Sequence, residues 1–342
     1  MIKGEILREL FKSLNSQNEI DIYNVLIKLI KYEKERKNYA LADELNNMIP
    51  KRFKANNRRR RSRTLLSFNI PKDSSRDIPL LEIKNFNING NQLIVSDGIK
   101  NSLDRIIIEY NKKHILRIYN LNNISKLLFF GPPGCGKTLS AHLLSSQLHL
   151  PLVYVRFDGL ISSYLGETSA NLKKVFDFVS EGNWILFFDE FDAIGKTRQD
   201  MHDNGEMKRV INSFLQQLDN YKGEALIICA TNFYESLDPA IWRRFDDILF
   251  FNYPTKDLRI KLLKLFLNDF PIKKINYDIL AEQMDGMSCA DIEQVCLRII
   301  KNSLIQESQI ETKDITIQTN IQMEKNKFKT KFLNYNQNGR KT

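Results

Sequence analysis

The chain has 342 residues, with 51 Lys and Arg against 41 Asp and Glu, a net charge of +10, and enough apolar residues (42%) for two or three domains with real cores. It contains no apolar run of about 18 residues, which excludes a membrane-spanning helix. Its four cysteines, Cys135, Cys229, Cys289 and Cys296, include no C-x-x-C pair, which argues for reduced thiols and against a metal ligand set.

The start, Met1 to Glu9, is amphipathic and carries acids, unlike a signal or transit peptide, so a cytoplasmic location is expected. Residues 1–50 read as a small N-terminal helical segment. Ile6, Leu7, Leu10, Phe11 and Leu14 form one stripe, and Ile22, Val25, Leu26, Leu29 and Ile30 a second. A third, from Ala40 to Ile49, stops before Pro50. The linker 51–68 is basic, with eight Lys or Arg and no acid within 51–63. The tail 321–342 is basic as well, so the rest of the chain is close to neutral. Such segments suit nucleic acid or another polyanion, or serve as solvated connectors.

Weak extended signals surround an Asn89-Gly90 turn, and helical spacing resumes at Leu103–Ile107. From Lys126, apolar strands alternate with helices: Lys126–Phe130, Leu152–Phe157, Trp184–Phe188, Ala225–Ala230 and Ile248–Phe251. Their almost wholly apolar character predicts an α/β domain over 69–253, a doubly wound parallel sheet covered on both faces. Beyond Pro254 only helices are expected, as a small lid domain over 254–320. One carries the Leu258, Leu262, Leu263 and Phe266 stripe, and another opens with the capping box Ser288-Cys289-Ala290-Asp291.

The chemistry concentrates after the first of these strands. Gly131-Pro132-Pro133-Gly134-Cys135-Gly136-Lys137-Thr138 is a complete G-x-x-x-x-G-K-T loop, and Leu139 continues into a helix. A strand–loop–helix of this kind aims backbone N–H groups and a helix N-terminus at one point, a cradle for phosphates. Lys137 would reach the β- and γ-phosphates, and the Thr138 hydroxyl would ligate Mg²⁺. The apolar strand ending in Asp189-Glu190 supplies a metal carboxylate, Asp189, and a carboxylate to polarise water, Glu190. Asp192 suits a structural role equally well. Asn232, after the strand Ala225–Ala230, could hydrogen-bond both γ-phosphate and attacking water.

These motifs, with Asp238-Pro239-Ala240 followed by Arg243-Arg244-Phe245, resemble in order and spacing the AAA ATPases of the P-loop AAA+ superfamily, over about residues 92–305. The chain is similar to a short bacterial-type member with a small N-terminal helical segment. The resemblance names the Gly131–Thr138 loop Walker A and the strand to Asp189-Glu190 Walker B. It implies ATP as the nucleotide, hydrolysed to ADP and phosphate with Mg²⁺, bound between the α/β domain and the lid. It also implies a homo-oligomer, usually a hexameric ring, in which Arg243 and Arg244 act on the neighbour's γ-phosphate as arginine fingers. By the same resemblance Tyr164-Leu165-Gly166 form a pore loop gripping an extended protein client, although Tyr164 and Leu165 could also pack within the domain. A second pore-facing loop is placed near Thr197–Glu206, with His202 read as a solvated residue.

Two departures stand out. Arg243 and Arg244 are adjacent where many members separate them, and Cys135 stands where Thr is usual. The lid segment Gly286–Asp291 carries no arginine, so its contacts to adenine and ribose are expected from backbone and small side chains. The expected function is an ATP-driven protein remodeller. The alternative is a nucleic-acid-associated ATPase serving DNA-handling or mobile-element machinery, suggested by the basic segments.

Overall fold

The computed structural model describes residues 69–88, 90–161, 167–192 and 204–338. In chain order the elements are β1 (Leu81–Lys84), α1 (Asp97–Asn111), α2 (Lys113–Ile118), β2 (Lys126–Phe130), α3 (Lys137–Leu148), β3 (Leu152–Val155), α4 (Phe157–Leu160) and α5 (Glu167–Ser180). There follow β4 (Ile185–Phe188), α6 (Asn204–Asn220), β5 (Leu226–Thr231), α7 (Pro239–Trp242), β6 (Asp247–Phe250), α8 (Lys256–Leu267), α9 (Tyr277–Gln283), α10 (Cys289–Gln306) and α11 (Thr312–Asn338). The N-terminal segment 1–50 and the linker 51–68 lie outside the described residues.

The strands form one sheet in the order β1-β3-β4-β5-β2-β6, parallel except for β1, which runs antiparallel to β3 with Leu81 opposite Val155. Alternate side chains of the central strands are buried on opposite faces, as a doubly covered parallel sheet demands. Leu127, Phe129, Ile185, Phe187, Leu226 and Ile228 pack under α1 and α3 with Leu103, Ile106 and Leu144. Phe188 faces the other way and meets Phe176 of α5 and Phe214 of α6 at ring separations of 6.3 and 5.4 Å. Phe214 and Leu218 are wholly buried. The lid has its own core, in which Leu262, Leu263, Leu280, Val295, Ile299 and Ile315 are buried together.

Three elements depart from the expectations. The strand expected over Leu152–Phe157 stops at Val155, because Phe157 begins α4. The weak extended region yields only the four residues of β1, held by the β3 ladder. The boundary expected at 321 falls inside α11, which runs unbroken to Asn338. Residues 312–338 contain no Gly or Pro, and Gly339 follows; Ile315, Thr319 and Gln322, one helical face, are all buried.

Ahead of β1 an arm binds α4 and α5. The Arg76 guanidinium donates to Asp73 Oδ2 at 2.6 Å and to the carbonyls of Gly159 and Ile161 at 3.2 and 3.1 Å. Ser75 Oγ donates to Glu167 Oε2 at 3.1 Å, and Lys174 Nζ to the Lys72 carbonyl at 3.0 Å.

Candidate functional site

The loop joining β2 to α3 turns through backbone conformations that only glycine adopts without strain. Gly131 has φ +134°, and a Cβ there would lie 2.1 Å from the Phe251 carbonyl oxygen. Gly134 has φ +74°, and its missing side chain leaves room for Ser288 Oγ and Ala290 Cβ of the lid. The loop is thereby shaped by its two neighbours, the end of β6 and the start of α10, and the Ala290 N–H donates to the Gly134 carbonyl at 3.0 Å.

Lys137 opens α3 with only 7% of its surface exposed, and its ammonium donates to the carbonyls of Gly131 and Pro132, each at 2.7 Å. Burial pulls its pKa below the ordinary lysine value, opposed by the Cys135 thiol and the carboxylates of Asp189 and Asp192. Thr138 Oγ1, one residue on, donates to Asp189 Oδ2 at 3.0 Å. A hydroxyl and a carboxylate at that separation are hard oxygen donors, a set that fits a small divalent cation completing its shell with water.

Asp189 directly follows β4, and Glu190 turns away from the strand in a left-handed conformation, φ +55°, uncommon for a residue with a side chain. The turn is pinned by the Asp189 carboxylate, which accepts from the Glu190 N–H at 3.1 Å, and by the Phe191 N–H, which donates to the Ala230 carbonyl at 2.8 Å. Glu190 is exposed at the site, Asp189 half-buried. Asp192 has the structural part: its Oδ1 accepts from the Thr231 hydroxyl at 3.2 Å. That hydroxyl accepts from the Phe233 N–H at 3.1 Å, so Asn232 sits between two anchored neighbours.

Pro133, Gly134, Gly136, Lys137, Thr138, Leu139, Asp189, Glu190 and Asn232 all line one cleft of about 690 Å³. Gln92, Leu93, Ile94, Leu262, Phe266, Ala290 and Glu293 form a largely apolar remainder, suited to a flat ring and its sugar. Cys135 does not line the cleft. Its thiol is buried, 3.8 Å from the Pro133 carbonyl, and burial raises its pKa. Cys289 does line it, half-buried, with its thiol pushed up to about 12 by burial. The wall from Gln92 to Ile94 and the contribution of Glu293 were not anticipated, because they come from separate segments with no shared spacing.

Arg243 and Arg244 lie elsewhere. Asp238 caps α7 by accepting from the Ala240 N–H at 2.8 Å with Pro239 behind it, which explains the Asp-Pro-Ala spelling. Arg243 follows at the C-terminus of this turn, exposed. Arg244 is engaged within its own chain, donating to the Ala240 carbonyl at 3.0 Å and lying 3.5 Å from Asp219. Tyr164, Leu165 and Gly166, and Arg198 and His202 of the second loop, lie outside the described residues. Among the described residues, no helix is long and apolar enough to cross a membrane.

Residues 127–253, from β2 to just past β6, match the family model described as ATPase family associated with various cellular activities (AAA). An uncharacterized AAA family ATPase of Sinorhizobium fredii is 35% identical over 322 residues, covering 92% of this chain and 93% of that protein. A protein of Plasmodium falciparum named as a cell division cycle ATPase is 32% identical over 211 residues, 60% of this chain and 17% of its own much longer one. Likeness along nearly the whole of the Sinorhizobium protein, with a phosphate-loop cleft between a parallel sheet and a helical lid, establishes that the chain belongs to the AAA family of ATPases.

Proposed function

We propose that the chain hydrolyses Mg²⁺–ATP at an interface between its own copies, in a ring, and uses the cycle to remodel a protein client. The observation that carries this reading is the charge inventory of the cleft. Among the described residues its lining includes Lys137 but no arginine, whereas Arg243 is exposed outside it. Phosphoryl transfer gains greatly from a guanidinium on the transferring group, worth about 10³–10⁵ in rate where it has been removed or supplied. A second subunit presenting Arg243 would supply that charge. Arg244 already answers Ala240 and Asp219 of its own chain, so Arg243 is the better candidate of the two.

Within the cleft, Thr138 and Asp189 would hold Mg²⁺, which supplies charge neutralisation to the phosphates. Lys137 and the loop N–H groups bind and orient the phosphates. Glu190, thrown clear of β4 by its left-handed turn, accepts a proton from water, and Asn232 orients that water. Client gripping rests on the Tyr164-Leu165 pair, aromatic and aliphatic groups able to hold any chain.

The test mixes two inactive proteins. Lys137→Ala subunits cannot bind ATP, and Arg243→Ala subunits cannot complete a neighbour's site. Together they should recover part of the wild-type turnover, and turnover per molecule should fall on dilution. A strictly monomeric protein with dilution-independent ATPase activity would end this reading. Loss of client remodelling in Tyr164→Ala at normal ATPase rate is the matching expectation for the pore loop.

A further inference from the structure

The start of α10 leans on the phosphate loop through the Ala290–Gly134 bond, and a capping box holds that start in shape. The Ser288 N–H and hydroxyl donate to Asp291 Oδ2 at 3.2 and 2.7 Å, and the Asp291 N–H donates back to Ser288 Oγ at 3.2 Å. Such a box occupies one carboxylate oxygen. Here the other, Oδ1, accepts from Gln322 Nε2 of α11 at 2.8 Å. Gln322 is 4% exposed. Its Oε1 accepts from Arg298 Nη2 at 2.7 Å, while Nε2 also reaches Asn326 Oδ1 at 3.3 Å.

This arrangement fixes which way the amide faces. A guanidinium can only donate and a carboxylate can only accept, so Gln322 must turn its oxygen to Arg298 and its nitrogen to Asp291. A bond to a charged partner inside the protein is among the stronger kinds. α11 has other anchors on the same face, Ile315 and Thr319, both fully buried. Gln322 is therefore not what docks the helix; it is what ties the docked helix to Asp291.

We propose that Gln322 is a positioning residue for ATP binding. It holds Asp291, and through the capping box it keeps Ser288, Cys289 and Ala290 beside Gly134, where Cys289, Ala290 and Glu293 line the cleft. The C-terminal helix is thereby wired to the phosphate loop by four consecutive contacts: Gln322 to Asp291, Asp291 to Ser288, the turn from Ser288 to Ala290, and Ala290 to Gly134. This proposal needs only that ATP occupies the cleft and is independent of ring formation.

The experiment reverses the polarity of one bond. Gln322→Glu keeps the size and the Arg298 contact, but sets a second carboxylate against Asp291. Adding Asp291→Asn restores the pairing: the new amide donates to the introduced carboxylate and its oxygen still accepts from Ser288. The expected result for Gln322→Glu is an ATP KM, and a Kd for a fluorescent ATP analogue, about tenfold higher, with kcat within about twofold. The double variant should return KM to within about threefold of wild type. Unchanged KM in Gln322→Glu, or no recovery in the double variant, overturns the proposal. If Gln322→Glu fails to fold, Gln322→Met is judged by the same KM, and a folded Gln322→Met with wild-type KM likewise overturns it.

Discussion

Replacing Gly131 by alanine tests whether the first glycine of the loop is required by the fold or by the phosphates. A Cβ at this position would stand 2.1 Å from the Phe251 carbonyl oxygen and 2.9 Å from its carbon. Backbone cannot swing aside as a side-chain tip can. Relief requires a shift of roughly 1 Å between β2 and the end of β6, where the Phe251 N–H donates to the Phe130 carbonyl at 2.8 Å and the Phe251 ring is fully buried against Phe129. Alanine at φ +134° adds backbone strain of about 1–3 kcal/mol, and overpacking adds about 1–3 kcal/mol. The sum, about 4 kcal/mol, corresponds to a fall in Tm of about 10 °C for a unit of this size. Gly134→Ala is the comparison: its obstacles are the Ser288 hydroxyl and the Ala290 methyl, and its φ costs about 1–2 kcal/mol. It should lose ATP binding with a Tm fall of only a few degrees. Thermal unfolding of both variants without nucleotide decides the matter. If Gly131→Ala melts no lower than Gly134→Ala, the steric argument at Phe251 is wrong.

Glu190→Gln should retain ATP and lower kcat by about 10²–10⁴ with little change in KM, read by single-turnover hydrolysis beside equilibrium binding. Thr231→Val keeps the shape but deprives the Phe233 N–H of its acceptor and Asp192 of a donor; a cost of about 1–3 kcal/mol in urea unfolding and a lower kcat at unchanged KM are expected. His142 stacks on Phe86 at 3.8 Å and shares a hydrogen bond with the Tyr154 hydroxyl, and burial lowers its pKa below 6.5. The unfolded chain therefore takes up this proton first as pH falls through about 6.5, and stability drops below that pH. His142→Gln should flatten that part of the urea-midpoint profile; an unaltered profile would remove His142 from the explanation.

The parts of the site that are contiguous in sequence were legible before any coordinates. Gly131–Thr138 and Asp189-Glu190 announce themselves because an apolar strand, a sharp turn and a polar terminus follow one another along the chain. Strand positions were equally plain where burial on both faces leaves no polar residue: the run Ala225–Ala230 was expected as a strand, and β5 spans Leu226–Thr231. The rest depended on partners distant in sequence. β1 is four residues paired along the β3 edge, too short for a local periodicity to mark it. α11 hid because its buried face is spelled with Thr319 and Gln322, which satisfy their hydrogen bonds internally: Thr319 donates to the Ile315 carbonyl at 2.8 Å and Gln322 to Asp291. The left-handed turn at Glu190 has no residue signature either. It follows from the Phe191–Ala230 bond, a tertiary constraint overriding local preference.

The arm around Arg76 has a mechanical consequence. Its bonds to Gly159, Ile161, Glu167 and Lys174 lie on both sides of residues 162–166. A pull on the chain at residue 70 meets this group of fasteners before it meets β1. Detaching the arm means breaking the bidentate grip of one guanidinium on two carbonyls along with the Ser75 and Lys174 bonds, so force entering from that end is delivered into the α4–α5 corner while the sheet edge stays zipped.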